Sequence, residues 1–297
     1  EANRWLKEHG RVLAELRTRN QVAILHSYES SVIYRTMNAG IDYHRALYCN
    51  FYAPLFELGL GADFVRSPDD LSGYRMLLIP FHICERPAED IRKLERFVES
   101  GGTIVVTGDF MLKTKDNWRT SRDERQPLER LTGLRLDKWL TIPRELHVEA
   151  GTEWGDEKAE IRGFFQKFAV ADEARVRVLA RVDEPARERG IPAIAERRLG
   201  GGSVLFLAGI CEPPLLKKIL RDAAARQGIS VLDLPEHVAC IPLYAGEELR
   251  AYFAMNTGGK PVTLQLPVRR GPTDLNALDF AVEFVDGTSV RHQGAGE

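Results

Sequence analysis

The stretch Gly101 to Met111, GGTIVVTGDFM, decides the reading of this chain. Two glycines end one element, five residues of a buried strand follow, and Gly108 stands where a strand hands over to a loop. In α/β proteins a nucleophile often occupies that turn, lifted at the carboxyl end of a strand. Here Asp109 follows the glycine, then Phe110 and Met111. The stretch therefore poses two alternatives: an unusual nucleophile, or a catalytic framework without its catalyst.

Working outward from it, helix and strand signals alternate over the first 110 residues or so. QVAILHS predicts a first strand at Val22 to His26, ADFVRS a second, and SGYRMLLIPFH a third whose residues Met76 to Pro80 are consecutively apolar, as in a strand covered on both faces. DYHRALYCNFYAPLFELG carries Leu47, Phe51, Leu55 and Leu58 at helical spacing, and Pro54 predicts a kink within it. RPAEDIRKLERFVESGG reads as a helix with Pro87 at its start, Glu89 and Asp90 near the positive end of its dipole and glycines at its end. Such alternation implies parallel strands with right-handed crossovers, hence a doubly wound sheet.

Beyond Met111 the pattern loosens. A polar stretch through Gln126 leads into a short helix, PLERLTG, and the segment from Leu134 to Glu184 reads as irregular, with strands at ELHVEA and RVRVLARV. PAIAERRLGGGSVLFLAGI is a hairpin around Gly200 to Gly202, and EPPLLKKILRDAAARQG a helix with prolines at its start. From about Val231 onward, short alternating segments predict a small antiparallel β domain. The resulting division is residues 1–20 as an N-terminal helix, 21–230 as the α/β domain and 231–297 as the β domain.

Composition narrows the function. Lys plus Arg number 41 against 43 Asp plus Glu, a net charge of −2, which argues against a general nucleic-acid binder. No apolar run approaches the length of a membrane span and no signal-peptide pattern is present, so a cytoplasmic protein is expected. The four cysteines lie far apart without a CxxC pair, which excludes the usual zinc signatures and a disulfide framework. The chain opens at Glu1 in a helical pattern with Trp5, Leu6, Val12, Leu13 and Leu16 on one face. That start predicts a piece of something longer.

In a doubly wound sheet, ligands gather at the carboxyl ends of the strands. This chain offers Ser27, Tyr28 and Glu29 after the first strand, His82, Cys84 and Glu85 after the third, Asp109 and Lys113 after the fourth, and Cys211 and Glu212 later. Cys84 with His82 would be a thiolate and its base. Glu29 with Asp109 would be a carboxylate pair for acid–base work. Neither spacing is diagnostic. None of the seven histidines is spaced for a helical metal site, and LHSYESS has no glycine to cradle a phosphate, so no metal and no cofactor are expected. No residue is assigned a catalytic role; His82, Cys84 and Asp109 remain the candidates for a strand-end pocket.

The order VAILHSYES, YHRALYCNFYAPLFELGLGADFV, DLSGYRMLLIPF, LERFVESGGTIVVTG resembles the middle domain of glycoside hydrolase family 42 β-galactosidases. EELRAYFAMNTGGKPVTLQLP resembles that family's small carboxyl-terminal β domain. The resemblance covers roughly residues 20 to 268 and implies a class I glutamine-amidotransferase-like, flavodoxin-like fold that lacks the amidotransferase nucleophile and serves trimerisation. It implies a homotrimer, and galactoside hydrolysis carried by glutamates on a TIM barrel that no part of these residues resembles. The arginine-rich stretch from Met111 to Arg125 departs from the family pattern. For subunit contact, Tyr28, Tyr34, Phe110 and Trp118 are the aromatic candidates on loops. The alternative of another class is an independent small-molecule enzyme or binding protein that uses the strand-end residues; it requires an open pocket and an activated thiol.

Overall fold

A computed structural model describes residues 7, 10–37, 40–140, 144–148, 154, 159–232, 234–267, 271–287 and 289–291. Trp5 and Leu6, on the apolar face of the opening helical pattern, lie outside the described residues. The chain divides into two compact units. One comprises Gln21–Pro54 and Ala62–Ile229; the other comprises Glu1–Asn20, Leu55–Gly61 and Ser230–Glu297.

The elements run in chain order as follows. β1 (Arg17–Thr18) and β2 (Val22–Leu25) lead into α1 (Tyr28–Met37), α2 (Tyr43–Leu47), a π-helical turn at Tyr48–Tyr52, and α3 (Ala53–Glu57). Next come β3 (Ala62–Val65), β4 (Met76–Ile79), α4 (Ala88–Glu99), β5 (Thr103–Thr107) and α5 (Arg122–Thr132). An antiparallel series follows: β6 (Leu134–Leu140), β7 (Arg144–Val148), β8 (Ala159–Val170), β9 (Val176–Glu184) and β10 (Pro192–Leu199). β11 (Gly202–Leu207), β12 (Gly209–Cys211) and α6 (Pro213–Arg226) complete the larger unit. β13 (Val238–Ala245), β14 (Glu248–Asn256), β15 (Val262–Leu264), β16 (Thr273–Leu275), β17 (Phe280–Phe284) and β18 (Ser289–Arg291) belong to the smaller one.

The larger unit is a mixed sheet whose parallel part has the order β3-β2-β4-β5-β11. This is the doubly wound, flavodoxin-like order. Every residue of β2, β4, β5 and β11 is buried, which is why these strands read as unbroken apolar runs and not as alternating ones. α4 and α5 pack together, with α4 also against β5, β10 and β11, while α2 and α6 both pack on the π-helical turn. Leu128 and Leu131 of α5 and Ile91, Leu94 and Val98 of α4 are buried, so each helix loses its apolar stripe to the core.

Four local expectations are corrected. QVAILHS ends as a strand at Leu25, and YESSVIYRTM forms α1 where a loop was read; the Ser30 N–H donates to the Ser27 hydroxyl at 3.0 Å and the Ser31 N–H to the Ser27 carbonyl at 3.2 Å, which starts the helix. The kink expected at Pro54 takes the form of a π-helical turn just before it, in which the Ala53 N–H reaches the Tyr48 carbonyl. The PLERLTG helix begins earlier, at Arg122, because Ser121 and Glu124 form a reciprocal capping box ahead of it. Finally, the stretch from Leu134 to Glu184 holds four strands: β7 and β9 fall at ELHVEA and RVRVLARV as expected, and β6 and β8 stand where no strand was expected. In β8 the alternation of buried and exposed residues is broken, with Gly163 at φ +73° and register shifts where β12 and β6 pair with it.

The smaller unit pairs β1-β13-β14-β17-β18 antiparallel, with β15 and β16 as a separate pair. Val238, Cys240, Tyr252, Ala254, Leu264, Leu266, Leu275 and Ala281 form its core. Asn256, buried at the end of β14, organises the adjoining turn. Its Nδ2 donates to the carbonyls of Lys260 and Asn276, and its Oδ1 accepts from the Gly258 N–H.

Candidate functional site

The strand order reverses between β2 and β4: the chain leaves β2 for β3 on one side and returns to β4 on the other. A crevice opens outside the carboxyl ends of the strands at such a point. Here it is a cleft of about 1040 Å³. β2 delivers His26, Ser27, Tyr28 and Glu29 to it, and β3 delivers Arg66. The loop after β4 supplies His82, Cys84, Glu85, Arg86 and Pro87, with Asp90 from the first turn of α4 and Lys115 from the loop after β5.

Main-chain bonds hold these loops together. Met111 and Lys113 donate to the carbonyls of His82 and Ile83, Glu85 donates back to Lys113, and the Cys84 N–H donates to the Ser30 hydroxyl at 3.0 Å. Phe81 and Met111 both adopt left-handed backbone, φ 54° and 58°, so conformational strain lies on either side of the strand ends and not at Asp109. On the floor, Arg86 ties three groups: Nε and Nη2 donate to Asp90 Oδ2 at 2.8 and 2.6 Å, Nη2 donates also to the Arg66 carbonyl at 3.3 Å, and Nη1 lies 3.2 Å from His82 Nε2.

His82 and Cys84 thus both line the cleft, yet neither is activated. Burial and the neighbouring Arg86 charge push the His82 imidazole down to about 3, with the Leu25 main chain acting weakly the other way. Burial and then Glu29 and Glu85 push the Cys84 thiol up to about 11. A thiolate–imidazolium pair needs the opposite shifts. Cys211 and Cys240, raised to about 12 by burial, are inert for the same reason. With iodoacetamide at pH 7.5, exposed Cys49 is expected to label first, and Cys84 roughly 100-fold more slowly than an unperturbed thiol, a ratio that mass spectrometry of the peptides reads directly.

Asp109 does not line the cleft. It is wholly buried, with Oδ2 accepting from the Tyr34 hydroxyl at 2.7 Å and Oδ1 from the Thr107 hydroxyl at 2.5 Å. Gly108 before it has no room for a side chain: a Cβ would lie 2.8 Å from the Ala208 carbonyl oxygen. The nucleophile position is therefore filled by a carboxylate turned into the core and bound at both oxygens. Glu29 bonds Ser27 at the cleft, so it does not pair with Asp109 there. Among the described residues no group of three or more His, Cys, Asp or Glu is placed to hold a metal ion.

Two of the four contact aromatics are corrected. Tyr34 and Phe110 are core residues, because Tyr34 sits on α1 above Asp109 and Phe110 packs edge-to-face on His82. Tyr28 and Trp118 are exposed, 71% and 75%, and the structure adds Tyr48 and Phe64. Sequence reasoning also missed His26, Arg66, Arg86 and Lys115 in the cleft. Applying the strand-end rule to the second strand, ADFVRS, would have found Arg66.

An amidotransferase-like doubly wound domain whose catalytic turn holds a buried, hydrogen-bonded aspartate is the class that fold and site define. Residues 20–230 match the model of the β-galactosidase trimerisation domain, and the chain belongs to that family. It is 27% identical over 224 residues to β-galactosidase YesZ of Bacillus licheniformis, covering 73% of this chain and 32% of that protein. Identity to a β-galactosidase of Thermus thermophilus is 26% over 255 residues, covering 84% and 35%. Among solved structures, the β-galactosidase of Bacillus circulans sp. alkalophilus superposes with a TM-score of 0.84 at 17% identity, over 94% of this chain and 43% of that one. That of Rahnella sp. R3 superposes at 0.80 with 19% identity, over 98% and 44%. The chain spans about a third of the length of the curated relatives it matches. It corresponds to the non-catalytic trimerisation portion of such enzymes, and among the described residues there is no catalytic barrel.

Proposed function

We propose that this chain is the assembly portion of a β-galactosidase-like glycoside hydrolase, that it associates as a homotrimer, and that it carries no catalytic residue of its own. Hydrolysis of terminal β-galactosides belongs to the complete enzyme. The observation that carries this reading is the strand-end turn of a trimerisation-family domain closed around buried Asp109, where an enzyme of this fold would expose its nucleophile. A ring of three is a heterologous contact that closes on itself, and the exposed rings of Tyr48, Phe64 and Trp118 supply surface of the kind such contacts bury.

The competing reading, an independent enzyme on the same fold, finds one of its two requirements met: the cleft is open. Its second fails, because Cys84 is raised and His82 lowered. Light scattering across a concentration series is expected to give a mass near three times 33.5 kDa. A concentration-independent monomer, together with turnover of a small-molecule substrate that Cys84→Ala abolishes, would reverse the choice.

A further inference from the structure

We propose that the cleft between the ends of β2 and β4 is a binding subsite for a neutral saccharide. At about 1040 Å³ it has room for a disaccharide, and it lies at the switch point where ligands of doubly wound sheets are held. What it would hold follows from its lining.

Three cations, Arg66, Arg86 and Lys115, face it alongside three carboxylates, Glu29, Glu85 and Asp90. A phosphate or a carboxylate would meet the three acids, and an ammonium ligand the three bases, each without a net field to hold it. Between these charges lie groups that are uncharged at neutral pH: the Ser27 hydroxyl, the imidazole of His82 and the Cys84 thiol. A surface that offers donors and acceptors side by side with no net charge fits vicinal hydroxyls, each of which donates and accepts.

The rim has capacity left for such bonds. Neither the Arg66 nor the Lys115 side chain makes an ion pair or hydrogen bond among the described residues. Among the described residues Glu29 accepts only the Ser27 hydroxyl, at 3.2 Å, which leaves lone pairs on both oxygens. Tyr28 on the wall presents a ring that is 71% exposed, a flat apolar face for the C–H side of a pyranose. The cleft's chemistry stands apart from the assembly reading; the choice of galactose and lactose as probes rests on it.

Calorimetric titration of the chain with galactose and lactose tests the inference, with inorganic phosphate as the contrasting probe. Binding with a dissociation constant on the order of 1 mM is expected for ligands of this size. Tyr28→Ala, Glu29→Ala and Arg66→Ala should each weaken it at least about fivefold while the thermal midpoint stays near that of the parent, since all three side chains are exposed. Absence of saccharide binding, saccharide binding that all three variants leave unchanged, or binding of phosphate alone would each overturn it. Light scattering on the same samples separates the two readings: a trimer that binds no saccharide removes the subsite and keeps the assembly, and a monomer that binds saccharide does the reverse.

Discussion

Gly202→Ala is expected to cost on the order of 4 kcal/mol and to lower the thermal midpoint by roughly 10 °C. The reason is where the two glycine clusters meet. A Cβ on Gly202 would lie 2.0 Å from the Gly102 carbonyl oxygen and 2.4 Å from that of Val98. Both are main-chain atoms, so no side chain can swing aside. β11 enters the parallel sheet at this point, with the Ser203 N–H donating to the Gly102 carbonyl at 3.2 Å and Ser203 in register with Thr103. Relief of the clash must therefore move β11 off β5 or lift the end of α4, and either opens the fully buried centre of the sheet. Overpacking in a core ordinarily costs about 1 to 3 kcal/mol; two rigid carbonyls in a central strand put this case above that range. Gly73→Ala, where a Cβ meets nothing within 4 Å, is the control and should change stability by less than about 0.5 kcal/mol. Equal melting of the two variants would show that the glycines are not packed as described.

The same packing explains which parts of the fold were legible in the sequence. β2, β4, β5 and β11 are covered on both faces, so their apolar runs are continuous and need no periodicity to be recognised. α4 announces itself through Glu89 and Asp90 at one end and two glycines at the other. α1 was hidden because YESSVIYRTM mixes β-branched and polar residues of modest helix propensity, and its helical state comes from the Ser27 hydrogen bonds and from burial of Ile33 and Tyr34. β8 was hidden because its bulges break the period of two on which strand reading depends.

The site divides along the same line. His82 and Cys84 follow from the rule that strand ends face a cleft. Asp109 obeys the rule in sequence and breaks it in space, since its partner Tyr34 arrives on the helix that could not be read. Arg86 and Lys115 carry no local signal at all: 28% of the chain is charged, and only the fold selects these two, whereas Arg66 stands at the carboxyl end of a strand that was legible.

That buried aspartate yields the second large effect. Desolvation raises Asp109 from 3.8 to about 6, against the hydrogen bonds from Thr107 and Tyr34 that favour the carboxylate. A carboxyl whose pKa is higher in the folded chain than in the unfolded one binds its proton more tightly when folded. Its contribution is fully present below pH 3.8 and is lost as pH rises through about 6, amounting to roughly 3 kcal/mol across the window. Above that window the folded chain holds a buried negative charge against which stand two hydroxyl donors and the main-chain N–H of Asp109 itself. Asp109→Asn removes the titration and can keep both bonds. The amide oxygen takes the Tyr34 hydroxyl, and the amide nitrogen donates to Thr107 Oγ1, whose own proton turns to the Ile79 carbonyl at 3.4 Å. Compared with the parent by urea unfolding between pH 4 and 8, the variant should lack this component of the pH dependence and be the more stable of the two at pH 8. A variant that is less stable at pH 8 by several kcal/mol would mean that the carboxylate is the form the core is built around, and that the turn at Gly108 depends on its charge.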